Sequence, residues 1–375
     1  MKILILLLLP HIIFSQTVSK DIDALFTQSF SATQPRAALL IVDNNKIVYE
    51  KAIGWADEKG AEKLTPLSNF RMASVSKQFT AMAILLLEKQ GKLSFENPIS
   101  RFFPTFSKTG DTIKIKHLLN HSSGLIDYEA LMSNTLTRQL SDADVYEMVK
   151  NMDSTYFKIG EGFRYSNGAY CLLSLIVEKV SGLSFHDYLS KNIFLPLGMT
   201  HTQVFDNQHV IENRVYGFSK NEKGELIPND QSLTSATKGD GGVYTSLNDY
   251  YLWHQALMKN KLVNLESILE KQYNELPEKK SYYGAGWFFN KKMTPKRKIT
   301  EGSMSIEKGD VNQMFHSGST CGFSNIVIRI PKRGILIAFF SNIADNHAAF
   351  KPIYDYLKKK KMIEFDIWRW HEATN

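Results

Sequence analysis

The chain contains only two cysteines, Cys171 and Cys321, among its 375 residues. Two are too few for a disulfide-dependent scaffold, and we expect two free thiols, although an exported chain could form one bridge. Beyond the N-terminus the longest apolar stretch is Ala81–Leu87, far short of the about 20 residues that span a membrane. No internal repeat, low-complexity segment or linker divides the sequence. With 43% hydrophobic residues, the chain should fold as one large domain or two intimate ones.

The first residues, MKILILLLLPHIIFSQ, combine Lys2 with an apolar run that reaches Phe14 and then the small Ser15. This pattern is typical of a secretory signal peptide, which we predict over residues 1–15. An uncleaved anchor is the alternative, and no cysteine follows that would indicate a lipoprotein. We therefore expect a periplasmic or secreted protein.

Positive charge is in excess, with a net charge of +7, and part of it lies in Lys358–Lys361 and in the stretch 291–298. In an exported protein this excess favours contact with anionic cell-wall or membrane surfaces over nucleic acid. Solvated side chains at a helix end and in a loop are the simpler interpretation. The sequence gives no indication of the oligomeric state.

Strand patterns lie near both ends of the chain. RAALLIVDNNKIVYEKAIGWAD, residues 36–57, predicts two strands around a turn at Asp43–Asn45. FSNIVIRIPKRGILIAFFSN, residues 323–342, predicts two more around Pro331–Gly334. We expect all four strands to share one antiparallel sheet, closed by both termini.

Helical patterns lie mostly between these strands. The predicted helices are Phe79–Gln90, Ala169–Val180, Leu247–Met258 and His347–Lys360, the last with Pro352 inside it. The predicted fold class is therefore α/β in the α+β sense. A sheet from about 36–56 and 284–342 would be flanked by helices and interrupted by a mostly helical insertion at about 92–280. The domain would cover residues 16–361, followed by a tail at 362–375.

The spacing Ser-x-x-Lys occurs at Ser74/Lys77, Ser235/Lys238 and Ser305/Lys308. Only the first pair opens a long, buried-looking helix, in which Lys77 lies one turn from Ser74 on the same face. Free N–H groups at the helix start favour negative charge near the serine oxygen, and a desolvated lysine gives up its proton more easily. Such a pair can activate a serine hydroxyl to attack a carbonyl. The alternative is an N-cap serine beside a snorkelling lysine.

Tyr165-Ser166-Asn167 precedes a second apolar helix, and no other Tyr-x-Asn occurs in the chain. A phenol and a carboxamide at a helix start can be directed into a cleft, where they would transfer a proton and hold a substrate amide. A simple turn is the alternative, because these residue types are common in turns.

His316-Ser317-Gly318 stands directly before a strong strand pattern. Gly318 and Gly322 would let a ligand approach the backbone closely, and a strand N–H there could face a developing oxyanion. Lys108-Thr109-Gly110 is discounted, because it precedes the Tyr-x-Asn element and no core strand follows it.

In this order the three motifs resemble those of the serine β-lactamase and penicillin-binding protein superfamily. The resemblance is strongest to the branch of class C β-lactamases, D-alanyl-D-alanine carboxypeptidases, D-aminopeptidases and related esterases, and it covers about residues 25–345. Further similar stretches are IKIKHLLNHSSGL, FLPLGMTHT, GDGGVYTSLNDY and YGAGW.

The resemblance implies a role for each motif residue. Ser74 would be the nucleophile, Lys77 its activating partner and Tyr165 the second proton-transfer group. The residues that bind substrate would be Asn167, His316 and Gly318. The backbone N–H groups of Ser74 and Ser319 would form the oxyanion hole. No metal or cofactor is implied.

Two departures from the family pattern concern the substrate. His316 stands where the β-lactamases of this branch usually carry a lysine, whose fixed charge helps to hold a carboxylate. Histidine is mostly neutral at pH 7, so efficient β-lactam hydrolysis is in doubt, whereas the peptidases and D-aminopeptidases of the branch do use His-x-Gly. Asp240, in KGDGG, replaces a small residue and should change the floor of the cleft.

The expected function is that of an exported serine hydrolase, which forms an acyl-enzyme on Ser74 and cleaves D-amino-acid peptides, amides or esters. Its substrate would be a small molecule or a peptidoglycan-derived peptide. A class C-like β-lactamase and a penicillin- or peptidoglycan-binding module without turnover are the alternatives. A zinc site at His117 and His121 is disfavoured, because Leu118 stands where a zincin carries its glutamate.

Overall fold

An eight-stranded antiparallel sheet forms the middle of the computed structural model, which describes residues 9–29, 37–206, 208–292 and 310–368. The strand order in this sheet is β2-β1-β13-β12-β11-β10-β9-β8. In chain order the strands are β1 (Ala37–Asp43), β2 (Lys46–Ile53), β3 (Phe70–Arg71), β4 (Gln203–Val204), β5 (Phe218–Lys220), β6 (Leu226–Pro228), β7 (Val243–Thr245), β8 (Asn274–Leu276), β9 (Ser281–Gly284), β10 (Trp287–Lys292), β11 (Asp310–Thr320), β12 (Phe323–Ile330) and β13 (Ile335–Ser341).

The sheet joins the two ends of the chain. Strand β1 pairs with β13 from Ala37 opposite Ser341 to Val42 opposite Leu336. The prediction of one antiparallel sheet built from both termini is therefore confirmed. Strands β8 and β9 carry the sheet back to Asn274, earlier than the predicted limit of 284. These two strands have three and four residues, which is too short for an alternating pattern to show in the sequence.

All four predicted helices are present. In chain order the helices are α1 (Leu9–Ser29), α2 (Lys77–Lys89), α3 (Ile115–Leu119), α4 (Asp142–Val149), α5 (Asn167–Ser181), α6 (Phe185–Leu189), α7 (Leu195–Leu197), α8 (Leu247–Met258), α9 (Leu265–Leu269) and α10 (His347–Lys359). Helix α10 continues through Pro352. Helix α1 runs past residue 15, the predicted end of the leader, and residues 1–8 and 369–375 lie outside the described residues.

The two faces of the sheet pack against different helices. Along β1, Leu39 and Ile41 contact the layer of α1 and α10, whereas Ala38 and Leu40 contact the helical region on the other side, because successive side chains of a strand point to opposite faces. The outer helices contribute buried side chains at Val18, Ile22, Phe26, Phe350, Ile353 and Leu357. On the inner side α2 is buried from its first residue as far as Leu87, which accounts for its apolar sequence.

Helix α5 is bounded by two recognisable caps. Ser166 Oγ accepts a hydrogen bond from the N–H of Ala169 at its start, and Gly182 ends it with a φ of +73°, a left-handed conformation that suits glycine.

Among the described residues, no single helix is long and apolar enough to cross a bilayer. Segments 167–181 and 185–197 meet that criterion only together, with a 77° bend between them.

Candidate active site

Ser74 lies in a one-turn 3₁₀ helix, Ala73–Ser76, which joins strand β3 to helix α2. Ala73 has a φ of +49°, a left-handed conformation that residues other than glycine seldom adopt. Backbone strain of this kind persists only where the surrounding structure holds it, and it is frequent at functional sites. The turn leaves Ser74 partly exposed at the start of α2, whereas the side chain of Lys77 is fully buried.

The amine of Lys77 contacts three oxygen atoms from three segments of the chain. It lies 3.2 Å from Ser74 Oγ, 2.9 Å from Asn167 Oδ1 and 2.9 Å from the backbone carbonyl oxygen of Asp240. Because Lys77 is fully buried, these contacts replace its hydration. The structure thus brings together the serine and lysine of the first predicted motif and the asparagine of the second.

Tyr165 lies beside the same amine, but its hydroxyl is not hydrogen-bonded to it. The Lys77 nitrogen is 4.8 Å from the centre of the Tyr165 ring. The buried Tyr165 hydroxyl has no hydrogen-bond partner among the described residues. The predicted contact of this hydroxyl with Ser74 or Lys77 is therefore not formed, although the ring is in place. The proton-transfer role of Tyr165 stays a prediction.

One end of strand β11 has a free edge that faces the serine. Strand β11 pairs with β12 as far as Thr320 but with β10 only as far as Phe315. In the described part of the chain, residues 317–320 therefore have a strand neighbour only in β12. At Gly318 the missing side chain is essential, because a Cβ atom there would lie 2.2 Å from the carbonyl oxygen of Met72. This close approach places the end of β11 against the turn that carries Ser74.

His316 does not line the cleft as predicted. Its side chain is buried, with Nδ1 2.6 Å from the carbonyl oxygen of Ser317 and Nε2 3.5 Å from the hydroxyl of Tyr283. The rings of Tyr165 and Phe288 both pack near it, with centroids 6.1 and 5.3 Å away. The side chain of His316 is thus buried among aromatic rings.

A cavity of about 130 Å³ opens over Ser74. Its lining residues are Arg71, Ala73, Ser74, Tyr128, Glu129, Asn167, Thr234, Thr237, Asp240, Gly241, Ser319 and Thr320. Ser74 and Ser319, the two residues predicted to form the oxyanion hole, thus line the same cavity. Glu129, which sequence reasoning missed, lies at the exposed rim and accepts a 2.8 Å hydrogen bond from Asn167 Nδ2.

A model of the Beta-lactamase family matches residues 22–359 of the chain. The chain belongs to the beta-lactamase family. It is 30% identical to penicillin-binding protein 4* of Bacillus subtilis (strain 168) over 387 aligned positions, which cover 94% of this chain and 82% of that protein. The family resemblance that was predicted from three motifs is therefore confirmed.

Solved structures show that this beta-lactamase family member has the expected fold. The octameric penicillin-binding protein homologue from Pyrococcus abyssi superposes with a TM-score of 0.73 and 23% identity, covering 92% of this chain and 77% of that chain. D-amino acid amidase from Ochrobactrum anthropi SV3 superposes with a TM-score of 0.68 and 21% identity, covering 86% and 91%. The predicted fold class is confirmed, and the family match makes the chain a serine hydrolase.

The floor of the cavity is acidic in this family member. Asp240, the departure noted in the sequence, is only 8% exposed, and its Oδ1 has no hydrogen-bond partner among the described residues. Its carboxylate lies within 4.8 Å of donor atoms of Asp142 and Cys171. Burial, together with the charge of Asp240, raises the pKa of Asp142 to about 7.

Cys171 and the partly exposed Cys321 are both free thiols, as predicted.

Within the described residues, no other copy of a motif has its side chains in this arrangement. Ser235 is fully buried, and its Oγ accepts a hydrogen bond from the N–H of Ser232. The third pair, Ser305/Lys308, lies outside the described residues. Lys108-Thr109-Gly110 forms part of the 3₁₀ turn Lys108–Asp111 and belongs to no strand, as expected for a discounted copy.

His121 is a structural residue that supports Tyr165. Its ring centre is 4.4 Å from those of both Tyr165 and Tyr283, and its Nδ1 accepts a hydrogen bond from the N–H of Ser166. Burial holds the pKa of His121 well below its usual range, so the ring is neutral. No residue pattern predicted this role, because the partners come from distant segments.

The alternative zinc site at His117 and His121 is not supported. His117 Nδ1 accepts a hydrogen bond from the backbone N–H of Lys114 at the start of α3, whereas His121 packs among tyrosine rings. Within the described residues, neither histidine belongs to a group of three potential ligands. Both act as structural histidines here.

Proposed function

We propose that this chain is an exported serine hydrolase, which forms an acyl-enzyme on Ser74 and cleaves amides or peptides of D-amino acids, or small esters. The observation that carries the proposal is the 3.2 Å contact between the buried Lys77 amine and Ser74 Oγ at the mouth of a cavity. The signal-peptide pattern over residues 1–15 supports export. Contact of the basic stretches with an anionic cell wall is part of the same proposal.

Acylation follows from the contacts of Lys77. As a neutral amine, Lys77 can donate to Asn167 Oδ1 and to the Asp240 carbonyl oxygen while its lone pair faces the Ser74 hydroxyl. The bond from Ser74 Oγ to the substrate carbonyl carbon forms as the hydroxyl proton passes to Lys77 Nζ. The carbonyl oxygen becomes an oxyanion, which the backbone N–H groups of Ser74 and Ser319 would stabilise.

Acylation is complete only when the leaving group has taken a proton and departed. When the tetrahedral intermediate collapses, the bond to the leaving nitrogen or oxygen breaks, and that atom takes a proton that originates from Lys77. Among the described residues the buried Tyr165 hydroxyl has no hydrogen-bond partner, a condition that costs about 1–3 kcal/mol, and a leaving group that reached this hydroxyl would relieve it. Water then attacks the acyl carbon by the same route, which releases the acid and restores Ser74.

The geometry favours a substrate with an extended backbone and a positive charge. The edge of β11 at residues 317–320 can accept an extended peptide as an additional strand. Glu129 at the rim and Asp240 in the floor present two carboxylates to the cavity, which would attract a free α-amino group. The guanidinium of Arg71, which also lines the cavity, donates to Gln231 and to the carbonyl oxygen of Ser235. Amides or peptides with a free D-amino-acid N-terminus satisfy both conditions, and a D-amino acid amidase shares the fold.

A class C-like β-lactamase is the second candidate, and the site disfavours it. β-Lactam antibiotics carry a carboxylate, and His316, which replaces the lysine of β-lactamases, is buried away from the cavity. A module that is acylated without turnover is the third candidate. Its motifs would look the same, because turnover depends on sub-ångström placement of the reacting groups.

The test combines substrate turnover with intact-mass analysis. The full chain would be incubated with D-phenylalanine amide, a D-alanyl-D-alanine peptide, a chromogenic ester and a chromogenic cephalosporin, with Ser74→Ala as the control. Release of product from the amide or the ester, lost in Ser74→Ala, supports the proposal. A persistent penicillin adduct with all four substrates intact would favour the module without turnover. If neither penicillin nor a fluorophosphonate adds mass to the protein, Ser74 is not a nucleophile.

A further inference from the structure

Two histidines and an aspartate converge at a second place, outside the active-site cavity. His186 lies on α6, and Asp206 and His209 lie on the loop after β4. Their donor atoms are all within 4.8 Å of one another. His209 Nδ1 is 2.9 Å from each carboxylate oxygen of Asp206, and His186 Nδ1 is 3.4 Å from Asp206 Oδ2. We call this group the His-Asp-His cluster.

The local backbone directs these side chains at one another. Asp206 Oδ1 accepts hydrogen bonds from the backbone N–H groups of Gln208 and His209, a turn typical of aspartate. This turn brings the His209 ring back over the carboxylate. The two imidazole rings stack with centroids 4.3 Å apart and planes 13° apart, and His186 Nδ1 also lies 3.0 Å from the carbonyl oxygen of Val204.

The donor spacing matches that of ligands around one metal ion. Zinc binds imidazole nitrogen and carboxylate oxygen at about 2.0–2.2 Å in tetrahedral geometry, so two of its ligands are about 3.4 Å apart. The separations of 2.9 and 3.4 Å between the Asp206 oxygens and the two Nδ1 atoms are close to this value. Because the two rings are stacked nearly parallel, at least one imidazole must turn so that both ring nitrogens point at the same ion.

The ligand types and the surroundings also suit a metal. Two imidazoles and one carboxylate are a set that zinc and neighbouring transition metals take. Beside the cluster is a cavity of about 390 Å³, lined in part by Asp206, His209 and Asp187, through which an ion and its water ligands can enter. The side chain of His209 is 50% exposed, whereas those of His186 and Asp206 are 12% and 14% exposed.

We propose that the His-Asp-His cluster binds one divalent transition-metal ion of the zinc class. Nothing in the sequence indicated this cluster, because its members come from helix α6 and from the loop after β4. Ala236 and Lys238 line the cavity beside the cluster, whereas Thr237 and Asp240 line the active-site cavity. The segment 236–240 therefore borders both the cavity beside the cluster and the active-site cavity, and an ion at the cluster would take no part in proton transfer at Ser74.

The test is zinc binding to the full chain, with any affinity tag removed and with metal first stripped by a chelator. Isothermal titration with zinc chloride should show one ion per chain, and the midpoint of thermal unfolding should rise with free zinc. Asp206→Asn and His209→Gln should each weaken binding by more than about tenfold. Because His209 is half exposed, its replacement leaves the fold intact, which circular dichroism would verify.

The matched control is Asp187→Asn, which removes the same charge from the wall of the same cavity. This variant should bind zinc as the wild type does. Equal weakening by Asp187→Asn and Asp206→Asn would show unspecific attraction of a cation and overturn the proposal. Absence of saturable binding at one ion per chain, or unchanged binding by His209→Gln, would overturn it as well.

Discussion

The α-carbon of Gly318 lies so close to Met72 that an added Cβ atom would be 2.2 Å from the Met72 carbonyl oxygen. Any side chain at this position would push the end of β11 away from the turn that carries Ser74. We expect Gly318→Ala to lower kcat/KM by about 100-fold, because a displacement of about 1 Å of groups around a reacting atom has effects of that size. Steady-state hydrolysis of a chromogenic ester measures the change.

The adjacent variant Ser317→Ala is the control for this prediction. It alters a side chain on the same strand without adding an atom near Met72. Activity close to wild type is expected. If Gly318→Ala retained full activity, the close approach of β11 to the turn would have no part in the reaction.

Lys77→Met tests the activating amine. Methionine fills a similar buried volume without a proton-accepting group, and we expect kcat to fall by about 10²–10⁴-fold, the usual contribution of a general base. Stopped-flow acylation by a chromogenic ester gives the rate.

Ser74→Ala should abolish adduct formation, whereas Ser235→Ala and Ser305→Ala should change little. Similar losses in the three serine variants would show that the nucleophile was wrongly chosen.

Glu129→Gln tests the preference for a positively charged substrate. Glutamine keeps an acceptor oxygen for the Asn167 amide but removes the charge. For an amide with a free α-amino group we expect kcat/KM to fall by about tenfold or more, the worth of one charge-assisted hydrogen bond. Turnover of an N-acetylated amide or of an acetate ester should be unaffected. A uniform loss across all substrates would assign Glu129 a structural role through Asn167.

The Asp142 and Asp240 pair should make stability depend on pH. The pKa of Asp142 is raised to about 7 in the folded protein and is about 3.9 in an unfolded chain. The folded state therefore holds an extra proton between about pH 4 and 7, and the free energy of unfolding falls as the pH rises through this window. Asp142→Asn removes the titration while keeping an acceptor for the N–H of Lys238.

Urea unfolding at a series of pH values checks this expectation. Between about pH 4 and 7 the wild type should lose more stability than Asp142→Asn, by on the order of 4 kcal/mol. Parallel stability profiles for the two proteins would mean that the carboxyl group titrates normally in the fold.

The two thiols should differ in reactivity. Burial raises the pKa of Cys171 well above its ordinary value, so its reactive thiolate is suppressed, whereas Cys321 is partly exposed. We expect a thiol reagent to modify Cys321 first and Cys171 only after denaturation. Intact mass before and after reduction should be the same. A gain in mass of two hydrogen atoms on reduction would reveal a disulfide.

Local patterns were sufficient to predict the parts of the site that lie at helix ends. Ser74 and Lys77 are one helical turn apart, so their contact follows from helix geometry once α2 is predicted. The position of Asn167 beside Lys77 depends instead on how α2 and α5 pack. Only the family resemblance assigned Asn167 and Lys77 to the same site. His316 was misplaced, because a strand pattern does not show that aromatic rings from β9 and β10 cover that side chain.

The remaining features depend on contacts between segments that carry no pattern of their own. Strands β8 and β9 are too short to show alternation, so the second segment of the sheet was predicted to begin at about residue 284 and not at Asn274. Glu129 lies in a short 3₁₀ turn and gave no sequence signal. Asp206 and His209 form a turn that looks ordinary until α6 brings His186 to it. In each case tertiary packing, and not local propensity, decides the position.

The pairing of β1 with β13 has a consequence for biosynthesis. The first strand made on the ribosome pairs early with β2, but it cannot meet its other neighbour, β13, until nearly the whole polypeptide has been translated. Contacts so distant in sequence slow folding and leave an unfinished chain open to aggregation. For a polypeptide that is threaded through a translocation pore before it folds, the same delay is useful, because the sheet cannot close prematurely and block the passage.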